Sequence, residues 1–379
     1  MSKNMIKRYY DNKINNNLKK NKVLLIYGPR QIGKTTLINN FLKTYQGKVY
    51  SSTGEDSNLQ RILESSNFSK IIPFFKDYDL IVIDEAQKIN KIGQGLKIIV
   101  DQIPGIKVIA TGSSSFDLSN KIGEPLVGRQ IIKKMFPISA GELADNFGKF
   151  YLYENLENLL VYGAYPEIIT SDSYNEKREQ LIQIRDSYLY KDILEFEQIK
   201  NSRKILNLLR LIARQIGNEV SLQELGNSLD MSKNTVERYL NLLEKSFVLI
   251  NVQGFSRNLR KEVTKMSRYY FYDLGVRNAI IENFNSLENR NDIGQLWENF
   301  LVMERLKKQS YVSIYTNNYF WRTYDQKEID WVEERDGKLF GFEFKWGDKK
   351  VKEPKLWKET YDNAEYEVIS QNNYLDFIL

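Results

Sequence analysis

Cysteine and histidine are both absent from this chain of 379 residues. Without cysteine the protein cannot form disulfides or thiolate metal sites. Without histidine it cannot use Ser–His or Cys–His nucleophile pairs, and it cannot bind zinc through imidazole. Any catalytic chemistry must therefore depend on carboxylates, lysine, arginine, hydroxyl groups and Mg²⁺.

Long apolar segments are missing as well. No run approaches the roughly 18 apolar residues of a membrane-spanning helix, and the polar start Met1–Met5 lacks the apolar core of a secretory signal. Together with the absence of cysteine, this predicts a cytoplasmic protein that does not enter a membrane. Because 42% of the residues are hydrophobic and 13% aromatic, the chain can form buried cores. Its length predicts two or three domains.

The net charge of +6 is concentrated near the amino end. Residues 1–50 contain eleven Lys or Arg side chains and one acid, and residues 51–150 contain twelve of each sign. The remainder contains 32 basic and 36 acidic side chains. A basic arm of this kind is typical of proteins that bind nucleic acid or another phosphate-bearing partner. The alternative is that these lysines only keep a helical surface solvated.

The strongest motif, G-x-x-x-x-G-K-T-T, occupies residues 28–36. It follows the apolar run Val23–Tyr27 and precedes residues 37–42, whose apolar positions have helical spacing. A strand, a glycine-rich loop and a helix in this order form a phosphate-binding loop, or P-loop. Lys34 is predicted to contact the β- and γ-phosphates of ATP, and Thr35 to ligate Mg²⁺. The residues predicted to bind the nucleotide are Gly28, Pro29, Arg30, Gln31, Ile32, Gly33, Lys34, Thr35 and Thr36.

A second apolar segment, Leu80–Ile83, is followed directly by two carboxylates, Asp84 and Glu85. The four apolar residues are typical of a buried parallel strand. At its carboxyl end, Asp84 is predicted to hold Mg²⁺ directly or through water. Glu85 is predicted to orient or deprotonate the water that attacks the γ-phosphate, which indicates hydrolysis rather than binding alone.

A third predicted strand, Ile106–Ala110, is followed by the sequence T-G-S-S-S. Ligands of open parallel sheets sit beyond the carboxyl ends of the strands, so Thr111 or Ser113 is expected to contact the γ-phosphate or the attacking water. The alternative is a serine-rich helix cap. Arg129 is a candidate for neutralising γ-phosphate charge, either in its own subunit or in a neighbouring one. For Arg129 the alternative is a surface ion pair.

Several motifs occur in one order along the chain: residues 28–36, 83–87, 110–114, 128–129, 136–142, 162–166 and 190–192. In these motifs the sequence resembles a prokaryotic AAA-like ATPase family whose members carry a C-terminal domain of uncharacterised role. The resemblance covers nearly the whole chain. It implies an ATPase core, a winged-helix segment and an endonuclease-like C-terminal domain.

The predicted fold class is α/β, in four segments. Residues 1–150 are expected to form a P-loop NTPase domain with a parallel sheet, and residues 151–215 a helical connector or lid. Residues 216–285 are expected to form a winged helix. Residues 286–379 are expected to form an endonuclease-like α/β domain of the PD-(D/E)xK type.

In the third segment, two predicted helices flank a tight turn at residues 230–232, which is the helix-turn-helix pattern. Val236, Leu240 and Leu243 are predicted to form the buried stripe of the second helix. The exposed face and the basic loop that follows are predicted to contact nucleic acid, DNA in particular. The candidates are Lys233, Asn234, Arg238, Arg257, Arg260 and Lys261. The alternative is a winged helix used for packing or dimerisation.

In the fourth segment, Glu343 and Lys345 alternate with phenylalanines and therefore share one face of a predicted strand. Asp330 is expected to end the neighbouring strand of a hairpin, beside Glu343. The pattern resembles the D…E-x-K constellation of restriction-endonuclease-like enzymes, with Glu298 as the helical acid. The resemblance implies Mg²⁺ held by Asp330 and Glu343, with Glu298 as a third candidate, and water activated by Lys345. The alternative is a fold retained without cleavage.

Two functions follow from these patterns. The leading one is binding and Mg²⁺-dependent hydrolysis of ATP, coupled to binding or cleavage of nucleic acid. The alternative is a switch or scaffold in which ATP controls assembly, for instance into a homo-oligomer, and the nuclease-like domain is catalytically silent.

Overall fold

Two structural units make up the chain in the computed structural model, which describes residues 5–113, 125–186, 202–255, 267–323, 326–347, 351–361 and 363–379. The first, here called the P-loop unit, consists of Met5–Pro137 and Lys245–Phe247. The second, here called the mixed-sheet unit, consists of Ile138–Glu244 and Val248–Leu379. The division at Pro137 lies inside the segment 1–150 that the sequence predicted as one domain.

A parallel five-stranded sheet forms the centre of the P-loop unit, in the order β2-β3-β4-β1-β5. Its strands are β1 (Lys22–Tyr27), β2 (Val49–Thr53), β3 (Leu80–Asp84), β4 (Lys107–Gly112) and β5 (Gln130–Lys134). Tyr27 lies opposite Gly112 on one side and Lys134 on the other, so the carboxyl ends of these strands meet at one edge. The predicted parallel α/β architecture is confirmed.

Helices cover this sheet, as a parallel sheet requires. They are Ile14–Asn17, Lys34–Leu42, Ser57–Glu64, Phe68–Phe75 and Ile92–Gln102, with a 3-10 turn at Ala86–Lys88. Val23 and Leu25 of β1 belong to a core cluster with residues of the last three helices. Leu24 and Ile26, on the other face of the strand, are buried as well. Burial on both faces explains why β1 is a continuous apolar run.

The mixed-sheet unit begins with helices. Within the segment 151–215, which was expected to be a helical connector or lid, residues 187–201 lie outside the described residues. The helices are Ala140–Phe147, Phe150–Glu154, Leu156–Tyr162, Pro166–Ile169, Tyr174–Ile184 and Ser202–Arg214. The capping box between Ser139 and Glu142 starts the first of them.

The next part of this unit contains β6 (Glu219–Val220), two helices (Leu222–Leu229 and Lys233–Lys245), β7 (Leu249–Gly254) and β8 (Ser267–Phe271). Both β6 and β7 pair antiparallel with β8. The predicted buried stripe of the second helix is confirmed, since Val236, Leu240 and Leu243 are at most 1% exposed. The loop candidates Arg257, Arg260 and Lys261 lie outside the described residues.

The last part of this unit contains further strands and helical elements. The strands among them are β9 (Asn317–Arg322), β10 (Glu328–Arg335), β11 (Lys338–Phe344) and β12 (Glu365–Ile369). The helical elements are Leu274–Ile280, the 3-10 turn Leu287–Asn289, Ile293–Val312, Lys355–Thr360 and Tyr374–Ile378. β10 and β11 form an antiparallel hairpin across Asp336 and Gly337, whose φ angles of 49° and 77° suit a two-residue Asp-Gly turn.

One mixed sheet joins all these strands in the order β12-β11-β10-β9-β7-β8-β6. The joint is a short parallel pairing in which Gln253 lies opposite Tyr319, and Gly254 opposite Phe320. The sheet therefore continues across the predicted boundary between residues 285 and 286. Local periodicity identifies strands but does not indicate which distant strand each one pairs with.

The sequence predicted that Asp330 ends its strand, but in the structure Asp330 is the third residue of β10. In the structure Glu333 is fully buried, and Arg305 donates two hydrogen bonds to its carboxylate, at 2.6 and 2.9 Å. Because a partner from a distant helix neutralises Glu333, the strand can continue to Arg335.

Candidate functional site

The P-loop connects the carboxyl end of β1 to the helix Lys34–Leu42, here called the P-loop helix. Gly28 is required by space, since a Cβ atom there would lie 2.0 Å from the carbonyl oxygen of Met135. Gly33 is required by conformation, with a φ of 90° immediately before the helix. Ile32 is fully buried, whereas Thr35 and Thr36 are exposed at the helix start. The loop therefore leads directly into a helix N-terminus, the kind of position at which proteins bind anions.

Lys34 lies inside this loop and is only 5% exposed. Its ammonium group donates hydrogen bonds to the carbonyl oxygens of Gly28 at 2.9 Å and Pro29 at 2.7 Å. Burial lowers the pKa of Lys34 to about 8, although the carboxylates of Glu85 and Asp84 act in the opposite direction. The ammonium group of Lys34 is thus held inside the loop by two of the loop's own carbonyl oxygens.

Asp84 is linked to the P-loop by one hydrogen bond and to β4 by another. The Thr35 hydroxyl donates to one carboxylate oxygen of Asp84 at 2.7 Å. The Thr111 hydroxyl donates to the other oxygen and also accepts the backbone N–H of Glu85 at 3.0 Å. β4 lies between β1 and β3 in the sheet, which is why a residue at its end can orient Asp84.

Glu85 is held by a second pair of polar side chains. Its carboxylate accepts hydrogen bonds from the Ser113 hydroxyl, at 3.1 Å, and from the Gln87 amide. The same amide donates to the Ser113 hydroxyl at 2.9 Å. Glu85 itself has a left-handed backbone with φ 51°, which is uncommon outside glycine and recurs at functional sites. Sequence reasoning left Thr111 and Ser113 undistinguished, but here Thr111 orients Asp84 and Ser113 contacts Glu85.

The donor set at this edge fits Mg²⁺ together with a triphosphate. Mg²⁺ prefers oxygen ligands and is usually held by one or two carboxylates and by substrate phosphates. The Thr35 hydroxyl and the Asp84 carboxylate are two such oxygen donors, and they lie within hydrogen-bond distance of each other. Lys34 adds the positive charge that phosphate oxygens need.

Arg129 is not brought to the P-loop by the structure. It precedes β5, and its carbonyl oxygen accepts the N–H of Val23 at 2.8 Å, near the start of β1. The P-loop follows the other end of β1, roughly 15 Å further along the strand. The guanidinium forms an ion pair with Asp101 at 2.5 Å, which was the alternative reading of this residue.

Arg8 contributes to the P-loop, which the sequence did not predict. It is 8% exposed, and its guanidinium donates to the carbonyl oxygens of Ile32 and, at 2.6 Å, of Phe136. At least one charge of the basic amino-terminal arm therefore supports the loop rather than lying free for a partner. Arg8 is 24 residues from Ile32 and 128 residues from Phe136 in the sequence, so no local sequence pattern indicates these contacts.

The exposed face predicted for the helix Lys233–Lys245 is present. Lys233, Asn234 and Arg238 are all exposed, and so is the acidic Glu237 between them. The face is thus mixed in charge over its described residues.

The nuclease-like candidates converge in the mixed-sheet unit. Asp330 and Glu343 lie on adjacent antiparallel strands, and Asp330 accepts the backbone N–H of Phe344 at 2.8 Å. Lys345 forms an ion pair with Glu343 at 2.6 Å. Glu298, on the helix Ile293–Val312, accepts the Tyr270 hydroxyl at 2.7 Å. The structure therefore brings together all four residues that the sequence selected.

These acids are buried close to one another, which disfavours their charged forms. Burial and repulsion by Asp330 raise the pKa of Glu298 to about 8 and that of Glu343 to about 7. Burial also raises the pKa of Asp330. One oxygen of Glu343, Oε2, is buried and has no hydrogen-bond partner among the described residues.

An arginine that the sequence did not single out lies among these acids. Arg268, in β8, is 2.7 Å from Glu328, 3.6 Å from Glu298 and 3.7 Å from Asp330, measured between guanidinium nitrogens and carboxylate oxygens. Across the described ranges, no group of three or more Asp or Glu side chains is placed to hold a metal ion. With Arg268 among its acids, this cluster does not fit a resident Mg²⁺ ion.

Within the part of the chain that the structure describes, no helix combines the length and the apolar character needed to cross a membrane.

Comparison with known families assigns the P-loop unit to a class. Residues 20–144 match the family described as AAA domain. Residues 293–374 match a domain of unknown function, DUF4143, and residues 153–287 match another, DUF8612. The chain therefore contains an ATPase-like P-loop domain of AAA type, followed by a DUF4143 domain.

Relatives in distant organisms share both parts. An uncharacterized protein of Methanocaldococcus jannaschii is 26% identical over 331 residues, which cover 82% of this chain and 72% of the relative. One of Mycobacterium tuberculosis is 25% identical over 331 residues, covering 85% and 70%. One of Haemophilus influenzae is 24% identical over 336 residues, covering 82% and 79%. The similarity thus extends well beyond the P-loop.

Proposed function

We propose that this protein binds ATP together with Mg²⁺ at the P-loop and hydrolyses it. The observation that carries the proposal is the meeting of three groups at one edge of the parallel sheet. Lys34 lies within the loop, the Thr35 hydroxyl is hydrogen-bonded to Asp84, and Glu85 is held by Ser113 and Gln87. This is the set of groups that phosphoryl transfer to water uses.

Each group has a role that its position supports. The ammonium of Lys34 exchanges the carbonyl oxygens of the loop for phosphate oxygens when ATP binds. The carboxylate of Glu85 orients the attacking water and accepts its proton. Mg²⁺, when bound by Thr35 and Asp84, would neutralise charge on the β- and γ-phosphates.

Release of inorganic phosphate from ATP tests this proposal. The wild-type chain should hydrolyse ATP, Lys34→Ala should lose ATP binding, and Glu85→Gln should bind ATP but hydrolyse it only at a low residual rate. Lys43→Ala, an exposed lysine just beyond the same helix, is the matched control and should retain activity. Full ATPase activity in Lys34→Ala would refute the assignment of the P-loop.

We further propose that hydrolysis is coupled to nucleic acid, and to DNA in particular. The order of helix, strand, two helices and two antiparallel strands, with Lys233, Asn234 and Arg238 exposed, supports a winged helix that presents its second helix to a duplex. The basic residues Arg257, Arg260 and Lys261 would then contact phosphates. Stimulation of ATP turnover by duplex DNA tests this coupling, and turnover that DNA leaves unchanged would contradict it.

One observation favours the second candidate function, a switch or scaffold with a silent nuclease-like domain. Arg268 lies among the acids that a nuclease would use for metal. A plasmid cleavage panel with Mg²⁺ or Mn²⁺, with and without ATP, separates the two. Cleavage that is lost in the double variant Glu343→Ala, Lys345→Ala would support an active nuclease. ATP-dependent oligomerisation without cleavage or DNA stimulation would support the switch, and in that case Arg129 could act on a neighbouring subunit.

A further inference from the structure

The acidic cluster of the mixed-sheet unit contains more negative than positive side chains. Its carboxylates are Glu298, Glu328, Asp330 and Glu343, and its cations are Arg268 and Lys345. Arg322 also lies 4.0 Å from Glu328, but it pairs with Glu219 at 3.0 Å, so these two residues add one charge of each sign. Four acids and two cations leave an excess of two negative charges if every group is ionised. Such an excess in a buried place requires protonation, a further cation or both.

The two cations have different positions. Lys345 is one-third exposed and contacts Glu343 at the rim, at 2.6 Å. Arg268 is 4% exposed and lies between three carboxylates that come from the helix Ile293–Val312 and from β10. The ring of Phe320 packs against its guanidinium, 4.5 Å away. Arg268 is therefore fixed at the centre of the cluster, and Lys345 at its edge.

We propose that Arg268 is the resident cation of this cluster and that its guanidinium keeps divalent metal ions out. A metal ion bound by Glu298 and Asp330 would lie close to a fixed positive charge, because that charge is 3.6 to 3.7 Å from their oxygens. Repulsion between like charges at such distances is strong inside a protein. The Arg268 side chain also occupies the space between the acids.

This inference concerns a site that ATP hydrolysis does not use, so it goes beyond the proposed ATPase. If Arg268 is the resident cation, the nuclease-like residues of this chain form an ion-pair network instead of a metal site. The inference also predicts a latent metal site. Glu343 Oε2 is buried without a hydrogen-bond partner among the described residues, and removing Arg268 would raise the negative excess from two to three.

The experiment measures Mn²⁺ binding to the full-length chain by electron paramagnetic resonance, with Asp84→Ala in every protein to remove the ATP-site ligand. Arg268→Met removes the charge but keeps an apolar stem against Phe320. Arg268→Lys is the matched control that keeps the charge. We expect Arg268→Met to bind Mn²⁺ at least about tenfold more tightly than the parent or Arg268→Lys, and addition of Glu343→Gln to abolish the gain.

Thermal unfolding gives a second readout, and its comparison of the parent protein in Mn²⁺ and in EDTA does not depend on the folding of any Arg268 variant. The parent protein should unfold at the same temperature in Mn²⁺ and in EDTA, whereas Arg268→Met should be less stable in EDTA and recover with Mn²⁺. Two results would overturn the proposal. One is a Mn²⁺ site in the parent that Glu343→Gln removes, and the other is an Arg268→Met protein that folds and binds no more Mn²⁺ than the parent. Because ATP hydrolysis is disabled throughout, neither result bears on the ATPase.

Discussion

The hydrogen bonds that hold the Glu85 carboxylate permit a quantitative prediction. Ser113 and Gln87 are each 5% exposed, and both donate to that carboxylate. A hydrogen bond to a charged group contributes about 1.5–3 kcal/mol. If that free energy serves to place Glu85 for water activation, its loss raises the barrier by a similar amount. Since 1.36 kcal/mol corresponds to a factor of ten in rate, Ser113→Ala or Gln87→Leu should lower kcat about 10- to 100-fold.

The same geometry predicts that ATP binding is preserved. Neither side chain belongs to the P-loop, and Lys34 and Thr35 keep their own contacts in both variants. The Kd for ATP should therefore stay within about twofold. The double variant should lose less than the product of the two single losses, because both side chains act on one carboxylate and on each other.

The assay combines steady-state phosphate release with calorimetric titration of ATP. A Glu85→Gln background provides the control, since Ser113→Ala should have little further effect on the residual rate there. A loss confined to the Kd, with kcat unchanged, would refute the positioning role. An equal loss of rate in the Glu85→Gln background would show that the two residues act by another route.

Three further predictions concern other parts of the chain. Burial lowers the pKa of Lys34 to about 8, so its ammonium form is lost as the pH rises through that value. Affinity for ATP, followed by titration at several pH values, should therefore fall above about pH 8 and should not do so in Lys34→Met. Burial would raise the pKa of Glu333, but its hydrogen bonds and charge pairing with Arg305 outweigh burial, so that the pKa is lowered in the folded protein. The stability that this carboxylate contributes is therefore fully present above its ordinary pKa. It is lost as the pH falls through the lower pKa of the folded state. Glu333→Gln should cost about 3–5 kcal/mol in chemical denaturation, while Glu334→Gln, which is half-buried beside it, should cost little. In the proposed DNA-binding face, Arg238→Ala should reduce the slope of log affinity for DNA against log salt concentration by roughly one. Glu237→Gln is the control and should not reduce that slope. An unchanged slope in Arg238→Ala would count against a phosphate contact at this residue.

The sequence was most informative where the chemistry is local. The P-loop, the Asp84–Glu85 pair and the helix face of Lys233 are short patterns whose spacing determines their geometry. Asp330 and Glu343 could be paired because a two-residue Asp-Gly turn fixes the register of the hairpin between them.

Contacts between distant segments were not predictable in this way. Arg8 reaches Ile32 and Phe136, and Arg268 reaches acids 30 to 62 residues away, so no local pattern marks either one. The pairing of β7 with β9 is of the same kind. Gln87 did carry a signal, since it is a polar residue two positions after Glu85 in a segment that becomes buried.

Arg129 shows a different limit. The sequence made it a candidate for neutralising γ-phosphate charge, but a residue that precedes a parallel strand lies at the amino edge of the sheet, away from the ligand edge. The parallel pairing of β5 with β1 places Arg129 at the amino edge, and this pairing is a property of the whole sheet that a local sequence pattern does not reveal.

Calorimetric titration of ATP with Mg²⁺ into the wild-type chain and into Lys34→Ala, side by side, tests the central claim most directly. The wild-type protein should show saturable binding to one site, and the variant should show none under the same conditions. Absence of binding to the wild-type chain, or equal binding to both proteins, would contradict the claim that this loop holds the nucleotide.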